Sequence, residues 1–327
     1  MTLTMGSSSP FPVGSPPWSG DVSLVPGAEE TKAGPPAGPV GDPGRCAPDA
    51  VARLVSLIPV LRDNYVFVLH GPGPGPAVVV DPAVAEPVIT WLEERGLELV
   101  AILHTHHHSD HIGGTPELLR RWPQAAVIAS GADLERIPLQ TRSVAGGDRF
   151  TLLGRSVEVL AVPGHTRHHI AYYLPAWGQM GAAGAEGPPG EPLDSVPPPI
   201  GPEPAGPTPA GELFCGDTLF AGGCGRLFEG TPEQMHASLR QFAALPEDTR
   251  VWCAHEYTAT NLAWAASVEP ADPAIGTRLE AVREARAAGQ STIPSRIGLE
   301  LRTNLFLRAA DPAALAVLRS SRDVWKG

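Results

Sequence analysis

The chain has 327 residues, 18% of them charged, with a formal net charge of −11. That length is ample for a sizeable core in one large domain or two, and the acidic balance argues against a general nucleic-acid binder. No stretch is apolar and long enough to span a membrane, so no membrane partner is expected.

Residues 1–52 are rich in Pro, Gly and Ser and lack the basic start and apolar run of a secretory signal. This arm is expected to be disordered, or a start-site artefact. Apolar runs at Leu54–Ile58, Tyr65–His70 and Ala77–Val80 read as strands, with Gly71-Pro72-Gly73-Pro74-Gly75-Pro76 as a hairpin turn. Val84–Arg95 carries Val88, Ile89, Trp91 and Leu92 on one stripe and reads as a helix. A strand over Leu99–Leu103 follows. Thr115-Pro116-Glu117 then has the N-cap, first-turn Pro and acidic residue of a helix start. Further strands are expected at Ala126–Ala129, Phe150–Leu153, Val157–Val162, Ile170–Leu174, Leu213–Cys215 and Val251–Ala254. Ile170–Leu174 and Leu213–Cys215 look like neighbouring hairpin strands. The Pro/Gly-rich tract 176–211 between them reads as a long disordered loop inserted at the hairpin tip. Thr231-Pro232-Glu233 opens a helix before Met235 to Leu245. From Thr258 onward only helical patterns remain, clearest at Ala271–Ala288 and Pro312–Ser320.

The cysteines Cys46, Cys215, Cys224 and Cys253 form no C-x-x-C pair. Cys215 and Cys253 end apolar strands, where a free thiol behaves as a small hydrophobe. Free thiols suit a reducing compartment, so a cytoplasmic location is expected.

The chemistry concentrates where Leu99–Leu103 ends. Thr105-His106-His107-His108-Ser109-Asp110-His111 puts four histidines and a carboxylate into six positions. Imidazole and carboxylate together are ligands for Zn²⁺ or non-haem iron. His106 and His108 point the same way in an extended loop, and His107 between them faces away. Three more strands end in ligand types: Val157–Val162 leads to His165, Leu213–Cys215 to Asp217, and Val251–Ala254 to His255. His106, His108 and His165 make one set; Asp110, His111 and His255 make a second. Asp217 can offer one oxygen to each, with a hydroxide between ions about 3.5–4 Å apart.

These residues resemble the metallo-β-lactamase superfamily and, within it, the glyoxalase II (hydroxyacylglutathione hydrolase) family. The T-H-x-H-x-D-H pattern marks only the superfamily. Leu61-Arg62-Asp63-Asn64-Tyr65 is similar to the family's opening strand pair, and Gly222-Gly223-Cys224-Gly225-Arg226-Leu227-Phe228-Glu229-Gly230-Thr231 to its glutathione-side loop. His255-Glu256-Tyr257-Thr258 resembles its last metal motif. Ile293-Pro294-Ser295 and Asn304-Leu305-Phe306-Leu307-Arg308 resemble parts of its helical C-terminal domain. Leu318-Arg319-Ser320-Ser321-Arg322-Asp323 resembles its basic tail. The likeness runs from about Leu54 to the end, apart from the insert. It departs where Arg226 stands for a frequent Lys, Phe228 for Tyr, Leu305 for Pro and Arg322 for Lys. Arg keeps the charge, whereas Phe228 lacks a hydroxyl donor.

The resemblance implies an α/β fold, a metallo-β-lactamase-like αββα sandwich with a C-terminal helical domain. Residues 53–257 would be catalytic and 258–327 a helical substrate-binding domain. It implies hydrolysis of S-(2-hydroxyacyl)glutathione thioesters, with S-lactoylglutathione giving lactate and glutathione in methylglyoxal detoxification. Two divalent metal ions per chain are implied, zinc first, with iron or manganese also suited. Asp110 and Asp217 would be catalytic, and Arg226, Phe228, Tyr257, Arg319 and Arg322 would touch substrate. The expected partner is the small thioester alone, on a monomer. Two alternatives stand beside this: a mononuclear iron dioxygenase acting on glutathione persulfide through His106, His165 and Asp217, and a metal-stabilised scaffold without catalysis. The second ligand set and the basic tail argue against the first. The unbroken ligand set argues against the other.

Overall fold

A computed structural model describes residues 54–176 and 210–326. The expected disordered arm, Cys46 and nearly all of the 176–211 tract lie outside the described residues.

Strands β1 (Leu54–Val60), β2 (Asn64–His70) and β3 (Gly75–Val80) form an antiparallel meander, turning at the Gly-Pro run between β2 and β3. Helix α1 (Glu86–Glu93) crosses over to β4 (Leu97–Leu103), parallel to β3. Helices α2 (Ser109–Ile112) and α3 (Thr115–Arg121) lead to β5 (Ala126–Ser130), and β6 (Arg142–Val144) completes a sheet of order β1-β2-β3-β4-β5-β6. The chain continues through β7 (Arg149–Leu152), β8 (Arg155–Ala161), β9 (Ile170–Leu174) and β10 (Glu212–Gly216). A small hairpin of β11 (Leu219–Phe220) and β12 (Gly223–Cys224) precedes α4 (Pro232–Ala243) and β13 (Arg250–Cys253). Then come α5 (Thr258–Val268), α6 (Pro273–Ala287), β14 (Ser295–Arg296), α7 (Ile297–Thr303) and α8 (Pro312–Val324). The second sheet has the order β14-β13-β10-β9-β8-β7. β9 and β10 pair antiparallel, so the insert leaves from a hairpin tip.

Side-chain alternation builds the layers. In β2, Tyr65, Phe67 and Leu69 point toward the second sheet and share one apolar cluster with its Phe150, Val157 and Phe214. Val66 and Val68 point the other way, onto Val88 and Leu92 of α1 and Leu118 of α3. A strand buried on both faces is what a layer covered on each side requires. The first cluster continues past the second sheet into Leu239 and Phe242 of α4 and Trp264, Leu279 and Leu315 of the later helices. Trp264 stacks on Phe306 at 5.0 Å. The result is an αββα sandwich with helices α5–α8 appended. No helix among the described residues is long and apolar enough to cross a membrane.

Four strands escape the sequence patterns: β6, β11, β12 and β14. Each has two or three residues, too few for alternation to register. β14 exists because it pairs with β13, so the chain after Thr258 is not purely helical. Thr115 is not an N-cap either. It is the first helical residue, and its hydroxyl pairs with His104 Nε2 at 2.8 Å. Thr231 does cap α4, in a reciprocal capping box with Gln234.

Candidate metal centre

The candidate ligands sit just past strand ends on one edge of the sandwich. His106, His108, Asp110 and His111 follow β4, His165 follows β8, Asp217 follows β10 and His255 follows β13. The two sheets meet there, because the Tyr65 N–H donates to the Ala254 carbonyl at 2.7 Å and Asn64 bridges His255.

Within this edge the seven side chains form two groups sharing Asp217. In the first, His108 Nδ1 lies 3.0 Å from His106 Nε2 and 3.1 Å from His165 Nε2. His165 Nε2 is 3.5 Å from Asp217 Oδ2. In the second, Asp110 Oδ2 lies 3.9 Å from His111 Nε2 and 3.6 Å from His255 Nε2. Both of these nitrogens are 3.4 Å from Asp217 Oδ1. Tetrahedral coordination at about 2.0–2.1 Å sets donor–donor spacings of roughly 3.3 Å, so both groups suit a divalent cation. The buried atoms His111 Nε2 and Asp217 Oδ1 have no hydrogen-bond partner. Buried polar atoms are rarely left so unless something else meets them.

Outer partners explain which nitrogen faces inward. His111 Nδ1 faces Asp81 Oδ2 at 3.1 Å, and His255 Nδ1 faces Asp63 Oδ1 at 2.9 Å. His165 Nδ1 faces the Arg226 carbonyl at 2.9 Å. Thr105 Oγ1 donates to Asp81 at 2.6 Å, which leaves it to accept from His106 Nδ1 at 3.1 Å. Each ring's Nδ1–H is thus occupied and its Nε2 lone pair is turned to the centre, the arrangement metal-bound imidazoles use. His108 alone turns Nδ1 inward. Asn64 Nδ2 donates to Asp110 Oδ2 at 3.2 Å. Behind Asp217, its N–H donates to His169 Nε2 at 3.2 Å, and His169 stacks on His106 at 4.6 Å.

Sequence reasoning missed Asp81, His104 and His169 and did not assign Asp63 or Asn64 a role. Asp81 carried the signal used elsewhere, a carboxylate directly after an apolar strand. It also lies near His106 and His111, but Thr105 and His111 Nδ1 occupy its oxygens, so it orients ligands.

Burial holds His106 well below its ordinary range and His108 down at about 4, so both are neutral near pH 7. Burial opposes charge on His111, yet the nearby Asp217 and Asp81 carboxylates raise it well above its usual value. Asp217 is also buried, and the His111 and His255 charges hold its carboxyl well below the carboxylate range.

A cleft of about 880 Å³ opens beside the centre, lined by Asp63, His165, Asp217, Phe228, Tyr257 and Arg322 among others. Phe228 is 62% exposed and lies edge-on to His165 at 5.2 Å. Tyr257 stacks flat on His255 at 4.8 Å. Burial, then the charges of Asp63 and Asp217, raise its phenol, which stays a donor. Arg226 is exposed, with Nε 3.6 Å from Asp323 Oδ1. Arg319 is buried and tied to protein groups: Nη1 donates to the Cys224 carbonyl at 2.8 Å and Nη2 to Asp323 Oδ1 at 2.9 Å. Arg322 donates to Asn261 Oδ1 at 3.3 Å. Burial, then Arg319 and Arg226, lower its pKa. Arg226 and Arg319 thus share the carboxylate of Asp323, and Arg322 is near enough to feel the charge of both guanidiniums.

The segment between Asp217 and this patch is rigidly supported. A Cβ on Gly225 would overlap the Asp217 carbonyl and come within 3.0 Å of His165 Nδ1. Gly216 has φ +48, and a Cβ there would strike the Thr105 side chain. Beneath the segment, Glu300 accepts the Gly222 N–H at 2.8 Å, and Asn304 Nδ2 donates to the Phe220 and Gly223 carbonyls at 3.1 and 3.0 Å.

Residues 59–176 match the metallo-beta-lactamase superfamily, and residues 256–326 match the family described as hydroxyacylglutathione hydrolase C-terminus. A hydroxyacylglutathione hydrolase of Synechococcus sp. (strain CC9605) is 52% identical over 270 residues, 82% of this chain and 96% of that protein. One from Synechococcus sp. (strain WH7803) is 52% identical over 273 residues, 84% of this chain and 96% of that protein. Among solved structures, ETHE1 from Myxococcus xanthus superposes with a TM-score of 0.55 at 21% identity, covering 84% of this chain and 92% of that one, a likeness of fold alone. Identity of this extent across nearly the full length of the Synechococcus proteins shows that the chain belongs to the hydroxyacylglutathione hydrolase family of the metallo-β-lactamase superfamily.

Proposed function

We propose that this chain hydrolyses S-(2-hydroxyacyl)glutathione thioesters, S-lactoylglutathione first among them, at two divalent metal ions. The observation that carries the reading is the pair of donor groups facing each other across Asp217, beside a cleft whose lining includes Arg226, Arg319 and Arg322. His106, His108 and His165 would hold one ion, Asp110, His111 and His255 the other, with Asp217 shared. Zinc suits both sets, and iron or manganese remain compatible with imidazole and carboxylate donors. When bound, such a pair acts as a Lewis acid and lowers the pKa of water toward neutrality.

The chain's own groups do the rest. Asp217, held ionised, presents one oxygen to each group and accepts hydrogen bonds from water between them. Asp110, fixed by Asn64, orients water from the other side. Attack on the thioester carbon breaks the C–S bond and yields a carboxylic acid and a thiol. A thiolate leaves easily, so no strong general acid is needed. Phe228 shields the imidazoles of the first group from solvent. Tyr257 offers its hydroxyl to the peptide part of glutathione. Arg226 and Arg322 attract the glutathione carboxylates, and Arg319 holds the Cys224 backbone and Asp323 in place beside them. Residues 53–257 would then carry the metal ligands together with Arg226, Phe228 and Tyr257, and 258–327 would add Arg322 to substrate binding. One chain supplies every ligand candidate, consistent with a monomer. Its free buried thiols suit the cytoplasm.

Release of glutathione from S-lactoylglutathione, followed with a thiol reagent before and after chelation, tests the reading. A protein carrying two ions but showing no turnover would sink it.

A further inference from the structure

His107, between two ligand candidates, does not face the metal centre. Its Nδ1 lies 3.5 Å from Asp133 Oδ2, and both atoms are buried without another partner. Its Nε2 lies 3.3 Å from Arg136 Nη1. Arginine only donates, so Nε2 accepts and the ring proton sits on Nδ1, facing Asp133. Asp133, 1% exposed in the turn after β5, gathers further donors on Oδ1: Arg136 Nε at 3.0 Å and His168 Nδ1 at 2.8 Å. Arg136 Nη1 also donates to Glu229 Oε1 at 2.6 Å, and Glu229 Oε2 accepts the Arg167 N–H at 2.8 Å.

This network fastens together three segments of the centre. One holds His106 and His108, one holds His165, and one holds Phe228 and the Arg226 carbonyl that orients His165. The second ligand group has no need of it, because Asp81 and Asp63 hold His111 and His255 directly. His108 is different. Its Nδ1 faces the other imidazoles, and no hydrogen bond among the described residues holds its Nε2. Its ring is placed by the backbone next to His107 and by the edge of Phe228 at 5.8 Å.

We infer that Asp133, acting through His107, Arg136 and Glu229, is a positioning residue for the first metal-ligand group. The inference rests on the two-metal reading above. It gives the middle histidine of the motif a task other than ligation. It also predicts a selective effect, since loosening the latch should weaken one ion and spare the other. Outer partners of metal ligands typically govern 10–100-fold in affinity. Asp133 acts one residue further out, so about tenfold is expected.

The test is Zn²⁺ titration of the metal-free full-length protein in competition with a chromophoric chelator, alongside thermal denaturation. Asp133→Asn should weaken one of two Zn²⁺ ions about tenfold and leave the other within about twofold. His107→Asn, at a ring 17% exposed, perturbs folding less and should act in the same direction. Glu212→Gln is the control. Glu212 is equally buried, accepts from Trp252 Nε1 at 2.7 Å, and lies at the far end of β10 from Asp217. It should lower the melting temperature and move neither affinity. If Asp133→Asn and His107→Asn behave like that control while the wild type binds two ions, the latch is wrong and the two-metal reading stands. A wild type that binds one ion overturns the two-metal reading, and the latch is then judged on that ion's affinity. A wild type that binds none sinks both.

Discussion

Two buried polar clusters in this protein make an instructive contrast. In the knot of Arg278, Ser295, Glu300 and Asn304, no buried side-chain polar atom is left without a partner: Glu300 accepts from Arg278, Ser295, Asn304 and the Gly222 N–H. At the metal centre, comparable burial leaves His111 Nε2 and Asp217 Oδ1 unpartnered and aimed at each other. A satisfied network holds structure together, and convergent unsatisfied donors await a cation. The two are joined through the Phe220–Gly223 backbone, so the first braces the chain that carries the second.

The contrast predicts separable phenotypes. Glu300→Ala leaves the Arg278 guanidinium buried and unpaired, which costs about 3–5 kcal/mol. Urea denaturation should read that loss, and the molecules still folded should keep their metal content. Metal loss from well-folded Glu300→Ala protein would erase the distinction. Asp217→Ala should do the reverse. Losing a preorganised charge should cut kcat by about 10²-fold or more and reduce bound metal, while circular dichroism stays near wild type. Near-normal turnover with two metals would remove Asp217 from the mechanism.

A smaller effect is expected at the arginine patch. A hydrogen bond to a charged group contributes about 1.5–3 kcal/mol, so Arg322→Ala should raise KM roughly tenfold with less change in kcat. Acyl thiols without glutathione carboxylates should show little difference. Equal losses on both substrates would assign Arg322 to folding.

The mildest test is protonic. His111 is raised from its ordinary 6.5 and Asp217 lowered from 3.8 in the metal-free protein. The raised imidazole stabilises the fold fully below its unfolded pKa, and this is lost as pH rises through the folded value. The lowered carboxyl stabilises above its unfolded pKa, and this is lost as pH falls through the folded value. These two groups therefore contribute most between those limits, while the depressed His106 and His108 imidazoles withdraw stability as pH falls below their unfolded values. A cation must displace the His111 proton and any proton the raised His255 holds, so Zn²⁺ uptake at pH 7 should release roughly one to two protons at that site. Calorimetry in buffers of different ionisation enthalpy would count them, and zero release would show His111 already neutral.

Much of the fold was legible because its signals are local. The β2, β4, β9 and β13 runs are apolar and long enough to register, and Thr231 announces α4 by short-range capping. β14 was not legible, since its two residues become a strand only by meeting β13. Thr115 misled for a related reason: His104 captured its hydroxyl.

At the site, the sequence determined by itself which residue types end which strands, and with them the ligand candidates and the family likeness. Only the tertiary structure decided which imidazole nitrogen faces inward, that Asp81 and Asp63 orient His111 and His255, that His107 turns to Asp133, and that Arg319 is committed to Cys224 and Asp323. The physical reason is range. Strand-end chemistry is written in consecutive residues, but a ring's tautomer depends on its hydrogen-bond partner, and His255 finds Asp63 across 192 positions of chain.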